Sequence, residues 1–259
     1  MVQPDETYRS YETYFGSRKY AERYPRPNRL AFARTLRMVP PGATLTDIGA
    51  GDGRYAIPLA AAGHTVLAVE RSDAAREQLA ETALLRGLQD RITCFKELED
   101  IDAELAAKSE LSLLFFGVLS HMAHQEREIV LKTIQSMANG QANVIGSVPN
   151  TFRRYRKERR NAPVDDLGSA PRFMYTHHLD GARRKFAYTA FSPEQLREEF
   201  TQHGWECVQI KTESVLSERK ITRSPVVGWG DALVSRMTPC RFSHAIFFHI
   251  RSPETAALK

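Results

Sequence analysis

Short apolar runs alternate with amphipathic stretches along most of the chain after residue 43. The short runs have the length and β-branched content of strands, and the longer stretches repeat apolar residues at helical spacing. The pattern predicts seven strands, over Thr44–Ile48, His64–Val69, Arg91–Phe95, Leu111–Gly117, Asn143–Val148, Glu206–Thr212 and His244–Ile250. Repeated β-α-β units predict an α/β fold with a mostly parallel sheet and helices on both faces.

The same pattern predicts the connecting helices, over Arg54–Ala62, Asp73–Arg86 and Gln125–Met137. A further helix is predicted after Ser192, which serves as N-cap, with Pro193 at the first helical position. Gln195 completes a capping box, and Gly204 suits the end of this helix.

Three segments depart from the alternation: residues 1–43, rich in Tyr and Arg, residues 149–191, and residues 213–242. Long insertions in compact domains are usually functional lids or disordered segments. Because these contain aromatic residues and few Ser or Gly runs, we expect ordered lids. The predicted organisation is an N-terminal helical lid over 1–43, then one domain over 44–259 that carries the two insertions.

The composition of the 259 residues, 42% apolar and 26% charged, is that of a globular protein. No apolar run is long enough to span a membrane, and the N-terminus does not resemble a secretory signal. Cys94, Cys207 and Cys240 lie far apart and fit neither a disulfide framework nor a zinc site. We therefore expect a reduced, cytoplasmic setting and no membrane partner.

Three glycines, Gly49, Gly51 and Gly53, follow the first predicted strand in the stretch LTDIGAGDGRYAIPLA. Such a turn lets a ligand approach the backbone beyond the carboxyl ends of the strands. The spacing differs from the G-x-G-x-x-G of dinucleotide sites, and the carboxylate of Asp47 would repel a pyrophosphate but attract a cationic amine. Glu70 closes the second strand, where an acid binds ribose hydroxyls. The pattern indicates an adenosine that carries a cationic group.

These residues resemble the class I S-adenosylmethionine-dependent methyltransferases, in the stretches DIGAGDG, VLAVERS, ITCFKELEDI, LLFFGVLSHM and FSPEQLREEFTQHGWECVQI. The resemblance covers about Thr44–Val148 and Phe191–Ile250. It implies a Rossmann-like sheet of seven strands with the last strand antiparallel. It also implies an enzyme that uses S-adenosyl-L-methionine and releases S-adenosyl-L-homocysteine.

The resemblance also implies a set of cofactor contacts, namely Asp47, Gly49, Ala50, Gly51, Gly53, Glu70, Arg71, Glu97, Leu98, Phe116 and Gly117. The glycine turn would pass under the amino-acid part of the cofactor, with Asp47 near its amino group. Glu70 would bind the ribose hydroxyls, and Arg71 would flank the adenine. Glu97 and Leu98 would lie near the adenine amine.

Two residues are candidates for catalysis. His121, in GVLSHM, follows the fourth strand and is the type of side chain that titrates near neutrality, so it could act as general base. The alternative is a packing or hydrogen-bonding role at the start of a helix. Tyr20, in the aromatic leader, could touch the cofactor carboxylate or the substrate, or simply pack its helix onto the sheet.

The candidate substrate contacts are Tyr14, Arg153, Tyr155 and His178. The basic stretch RRYRKERR, which begins at Arg153, could hold an anionic small molecule or the phosphates of RNA, or form a solvated helix face. The aromatic residues interleaved with basic ones in this insertion could stack on a flat substrate or form a small satellite core. No metal-binding motif is present in the sequence.

The leading expectation is methyl transfer to O or N of a small molecule by in-line displacement. The alternatives are an RNA or tRNA methyltransferase that uses the basic insertion, and a non-catalytic cofactor-binding subunit. The net charge of +5 permits an anionic partner without requiring one. The sequence leaves open the substrate, the methylated atom and the oligomeric state, for which a homodimer is a candidate.

Overall fold

The computed structural model of the protein describes residues 12–13, 18–155, 170–179 and 182–253. Its strands are β1 Thr44–Ile48, β2 Thr65–Val69, β3 Ile92–Phe95, β4 Ser109–Leu114, β5 Asn143–Pro149, β6 Arg172–Leu179, β7 Ala182–Thr189, β8 Glu206–Ser214 and β9 Ala245–Arg251. Seven of them form one sheet in the order β3-β2-β1-β4-β5-β9-β8, and β6 and β7 form a separate antiparallel hairpin.

The first five strands of the sheet are parallel, and β9 runs antiparallel to both β5 and β8. The α/β class, the seven-stranded sheet and the antiparallel last strand are thus confirmed. One predicted boundary is wrong: β4 ends at Leu114 rather than at Gly117. The chain leaves the strand because Phe116 and Gly117 have φ angles of 61° and 81°.

The helices are α1 Arg18–Arg23, α2 Arg29–Met38, α3 Ala56–Ala61, α4 Asp73–Leu85, α5 Ala103–Ala106, α6 Val118–His121, α7 His124–Met137, α8 Pro193–Gln202, α9 Glu218–Arg223 and α10 Pro225–Met237. The predicted capping box of α8 is confirmed. Gln195 N donates to Ser192 Oγ at 3.1 Å, and Ser192 N donates to Gln195 Oε1 at 2.9 Å. Gly204 follows the helix with a φ of 77°, as expected of a helix end.

Apolar layers cover both faces of the sheet. On one face, Leu131 of α7 and Phe200 of α8 pack among the strand residues, and on the other face Leu59 of α3 and Leu79 of α4 do so. All four side chains are buried. Burial of such a side chain stabilises a fold by about 1.5–3 kcal/mol, so these layers fix the strand ends on which the loops rest.

The insertion over 149–191 contains the β6–β7 hairpin. Phe173 lies opposite Tyr188, and Tyr175 lies opposite Phe186, so four aromatic rings share one face. Phe173 and Tyr188 form a small apolar cluster with Ala190, which agrees with the satellite core considered above. Most of the basic stretch that begins at Arg153 lies outside the described residues.

The insertion over 213–242 forms α9 and α10, and α10 is oriented unusually. It buries small and polar residues, namely Gly228, Asp231, Ala232 and Ser235. It exposes most of its apolar residues, namely Val226, Val227, Trp229, Leu233, Val234 and Met237. Within the described chain, no helix is both long enough and apolar enough to cross a membrane.

Candidate active site

A cleft of about 1060 Å³ lies beyond the carboxyl ends of β1, β2 and β4. The helix α1, the β6–β7 hairpin and the start of α9 contribute to its walls. Ligand pockets in proteins typically enclose about 300–1,000 Å³, so the cleft has room for a nucleoside cofactor and a small acceptor together.

Most of the residues predicted from the sequence line this cleft, namely Tyr20, Asp47, Gly49, Ala50, Gly51, Glu70, Arg71, Glu97, Leu98, Phe116, Gly117, His121 and Tyr155. Gly53 and Arg153 do not line it. Arg153 is exposed, and its Nη1 donates to Phe242 O at 3.1 Å. The side chains of Tyr14 and His178 lie outside the described part of the chain.

The glycines of this turn have two different structural roles. Gly49 and Gly51 have φ angles of 72° and 58°, and nothing lies within 4 Å of a Cβ built on Gly51, so open backbone faces the cleft there. A Cβ on Gly53 would instead overlap Leu79 and Ile57. Gly53 therefore serves the packing of α3 against α4, and its role as a cofactor contact stays a prediction.

Asp47 and Glu70 lie at the ends of neighbouring strands. Asp47 is buried, and its Oδ2 has no hydrogen-bond partner among the described residues. Burial and the charge of Glu70 raise the pKa of Asp47 to about 7. Burial also raises the pKa of Glu70, against hydrogen bonds that its carboxylate accepts from the backbone N–H groups of Ser72 and Gly51, both at 2.8 Å. The first strand thus ends in an acceptor oxygen that a cation would satisfy.

Arg71 and Glu97 form an ion pair at the outer rim of the cleft. Arg71 Nε lies 2.8 Å from Glu97 Oε2, and the two side chains are 64% and 40% exposed. Exposed pairs of this kind contribute little to stability, about 0–1 kcal/mol. Leu98 is buried beside them and supplies an apolar wall.

The link between β4 and α6 holds two successive residues with left-handed backbone, Phe116 and Gly117. Ser147 of β5 fixes it, since its Oγ and its carbonyl oxygen accept hydrogen bonds from Phe116 N and Gly117 N at 3.0 and 2.9 Å. A Cβ on Gly117 would overlap the Tyr188 hydroxyl. For a residue other than glycine, here Phe116, this conformation costs about 1–3 kcal/mol, and such residues concentrate at functional sites. Here the conformation brings the hairpin against the sheet.

His121 ends α6 inside a ring of aromatic side chains. Its ring centroid lies 4.6 Å from that of Tyr188, and Tyr175 and Phe186 lie within 6.4 Å. Burial, together with the charge of Arg172, lowers the pKa of His121 to about 3. The imidazole is therefore neutral at physiological pH and can accept a hydrogen bond.

Arg54, Tyr24 and Glu218 belong to the cleft but were missed by the sequence analysis. Arg54 Cζ lies 4.0 Å from the centroid of the Phe116 ring, and its Nη2 pairs with Glu218 Oε2 at 2.8 Å. The Tyr24 ring lies 4.7 Å from the same Phe116 ring. Arg54 directly follows the glycine turn, so its place in the cleft could have been predicted from the sequence. Nothing in the sequence indicates that Glu218 lies beside Arg54.

Glu213 is a second buried acid from the same insertion, and it also lines the cleft. Burial and the charge of Glu218 raise the pKa of Glu213 well above its ordinary value. The Glu218 carboxylate is balanced by Arg54.

One group of possible metal ligands lies outside the cleft. The ligand atoms of His124, Glu199 and His203 lie within 4.8 Å of one another. The sequence analysis did not foresee this group because His124 is far in the chain from Glu199 and His203. Arg127 Nε donates to Glu199 Oε1 at 2.6 Å. The carboxylate is thus already balanced by a buried cation, and we assign no metal to this group.

Comparisons with known proteins agree with this geometry. A family model described as "Methyltransferase domain" matches residues 18–210. The chain belongs to this methyltransferase family. The methyltransferase CcbJ from Streptomyces caelestis matches with 18% identity and a TM-score of 0.57, over 87% of this chain and 95% of that one. Among curated proteins, no match is found.

Two further solved structures show the same fold. The glycopeptide N-methyltransferase MtfA, solved with S-adenosyl-L-methionine, matches with 13% identity and a TM-score of 0.59, over 86% of this chain and 92% of that one. An S-adenosylmethionine-dependent methyltransferase from Clostridium acetobutylicum matches with 11% identity and a TM-score of 0.56, over 97% and 94% of the two chains. The fold of this methyltransferase is therefore the Rossmann-like fold of class I enzymes.

Proposed function

We propose that the protein transfers the methyl group of S-adenosyl-L-methionine to an oxygen or nitrogen of a small molecule and releases S-adenosyl-L-homocysteine. The observation that carries this proposal is the pairing of the open Gly51 backbone with the partnerless Asp47 oxygen at one end of the cleft. A cationic amine at this point would donate a hydrogen bond to the buried carboxylate oxygen and balance its charge.

The residues around this point fit the rest of such a cofactor. Each oxygen of Glu70 accepts one backbone hydrogen bond and keeps a lone pair for a ribose hydroxyl. Arg71 would flank the adenine, and Glu97 and Leu98 would lie near its amine. Arg54 Nη1 is buried and has no hydrogen-bond partner among the described residues, so it offers a donor to the carboxylate of the cofactor. When bound, the cofactor supplies an electrophilic methyl group on a sulfonium, whose departure leaves a neutral thioether.

The protein's own task is then to align the acceptor and exclude water. Phe116, Tyr188 and His121 form the wall beside the strained β4–α6 link, and Tyr20 of α1 packs near Phe116, with ring centroids 6.3 Å apart. Alignment of this kind can supply about 7–11 kcal/mol of the barrier. His121, neutral because of its low pKa, would accept a hydrogen bond from the acceptor's O–H or N–H and orient its lone pair. After the methyl group is transferred, the protonated acceptor would release this proton to solvent, because His121 is too weak a base to keep it.

The test is to incubate the protein with methyl-labelled S-adenosylmethionine and extract of its source organism, with and without ribonuclease. Label in small molecules that survives ribonuclease supports the proposal, and mass analysis then identifies the acceptor. Label in RNA that disappears with ribonuclease contradicts the proposed substrate class. Cofactor binding without any labelled product contradicts catalysis.

The role of His121 is tested by His121→Asn on the acceptor so identified. We expect kcat to fall about 100-fold or more, with little change in the affinity for S-adenosylhomocysteine. The wild-type rate should show no inflection from this residue between pH 5 and 8, because its pKa is about 3.

A further inference from the structure

Arg154 is a cation of the cleft that has no counter-ion among the residues the structure describes. Its Nη2 donates to the Tyr155 hydroxyl at 2.7 Å, and its Cζ lies 4.7 Å from the Tyr155 ring centroid. Among the described residues, no carboxylate forms an ion pair with it. Arg54, the neighbouring cation, is by contrast already paired with Glu218.

The backbone that carries Arg154 is fixed in place. Arg154 N donates to Asn150 O at 3.0 Å, and Asn150 is fully buried. The Asn150 side chain donates to Ser243 Oγ at 3.0 Å and to Cys240 O at 2.9 Å. The guanidinium is therefore held at the cleft wall by a tethered turn, which lowers the entropic cost of using it as a binding group.

The electrostatic surroundings keep Arg154 charged. Burial lowers its pKa, but the nearby hydroxyls of Tyr155, Tyr188 and Tyr24 and the Glu218 carboxylate raise it, and the net pKa lies above the ordinary value. Burial and the charge of Glu218 raise the pKa of Glu213, another acid that lines the cleft, well above its ordinary value. Among the described residues, Arg154 is thus a positive charge on the acceptor side of the cleft with no carboxylate paired to it, which is costly unless a ligand balances it.

Arg154 also lies on the side of the cleft where methyl transfer is proposed. Its electrostatic neighbours Tyr188 and Tyr24 are the residues that contact the β4–α6 link, through Gly117 and Phe116 respectively. Tyr155 and Tyr175 stand next to Tyr188, with ring centroids 5.2–5.5 Å apart. A flat aromatic ring of a ligand would stack on these tyrosine side chains.

We propose that the methyl acceptor is an aromatic small molecule that bears a carboxylate. The carboxylate pairs with the planar guanidinium of Arg154, whose fork matches its two oxygens. The ring lies against Tyr155, Tyr175 and Tyr188. The single negative charge of the carboxylate balances the charge of Arg154. This inference rests on the proposed function and defines its substrate class.

The test compares two probes of the same shape, 4-hydroxybenzoate and its neutral amide, by calorimetric titration of protein saturated with S-adenosylhomocysteine. We expect the acid to bind at least tenfold more tightly than the amide. Arg154→Gln should remove this preference, and Arg154→Lys should restore part of it. Equal affinity of the two probes, tighter binding of the amide, or failure of the acid to bind overturns the inference.

Arg241→Gln is the matched control, because Arg241 Cζ lies 4.6 Å from the ring of the following Phe242 and its side chain is exposed outside the cleft. It should keep the wild-type preference. Both variants should melt near the wild-type temperature and bind S-adenosylhomocysteine within twofold of wild type. If the wild type does not bind S-adenosylhomocysteine, the proposed function fails. If it binds but does not distinguish the probes, only the inference about Arg154 fails.

Discussion

Asp47 connects the pH dependence of stability to the proposed cofactor. Its pKa is about 7 in the fold against an ordinary 3.8, so the folded state binds the proton more tightly than the unfolded state. The resulting stabilisation is fully present below about pH 4 and is lost as the pH rises through 7. Between pH 5 and 8, the free energy of unfolding of the wild type should fall by about 3 kcal/mol more than that of Asp47→Asn.

Urea unfolding at the two pH values measures this difference. Asp90→Asn, at an exposed loop position, is the control and should follow the wild type. Asp47→Asn should also weaken the binding of S-adenosylhomocysteine, because the cationic amine loses its carboxylate. Parallel curves for wild type and Asp47→Asn would mean that Asp47 is ionised throughout this range.

Gly117 is a second residue whose role can be isolated. Ala at this position suffers the strain of a φ of 81° and also overlaps the Tyr188 hydroxyl. Gly42 has a φ of 78° with nothing within 4 Å of its missing Cβ, so Gly42→Ala reports the strain alone, about 1–2 kcal/mol. We expect Gly117→Ala to destabilise by about 1–3 kcal/mol more than Gly42→Ala in urea unfolding. Adding Tyr188→Phe should recover part of that excess.

Among the elements, α7 and α8 are joined by a buried ion pair. Arg127 and Glu199 are both buried, and His124 and His203 contact the same carboxylate oxygen at 3.2 and 3.3 Å. Burial opposes the ionisation of Glu199, but hydrogen bonds from His203 and Arg127 outweigh it and lower its pKa to about 2, from 4.5. This contribution is present above about pH 4.5 and is lost as the pH falls towards 2.

Glu199→Gln should therefore lower the free energy of unfolding at pH 7 by about 3–5 kcal/mol, because it leaves Arg127 buried without a counter-charge. Glu198→Gln changes the exposed neighbour on the same helix and should have almost no effect. Thermal and urea unfolding of the two variants give the comparison. A loss below 1 kcal/mol for Glu199→Gln would indicate that water reaches Arg127.

Across the whole molecule, the sequence predicted the parts that depend on local pattern. The strand runs and the capping box of α8 are local signals, and the acids and glycines at the strand ends lie within short motifs. The structure brings these residues together because parallel strands end at one edge of the sheet. This half of the cleft, from Asp47 to Leu98, could therefore be predicted.

The other half of the cleft depends on contacts between distant segments. Arg54 meets Glu218, and Gly117 meets Tyr188, only after the insertions fold over the sheet. The continuous apolar run before Gly117 also concealed the end of β4, since a left-handed Phe116 has no sequence signal. Such features follow from tertiary packing and could not be predicted from local periodicity.

Because the apolar face of α10 points outward, its apolar residues should tolerate substitution better than its polar residues, the reverse of an ordinary amphipathic helix. Asp231 holds the turn after β8, where its Oδ1 accepts from Leu216 N at 2.7 Å and from Val215 N at 3.0 Å. In chemical unfolding, Asp231→Ala should cost about 1–3 kcal/mol, and Leu233→Gln less than about 0.5 kcal/mol. A scan that ranked positions of this helix by hydrophobicity would therefore place the sensitive and the tolerant residues in the wrong order.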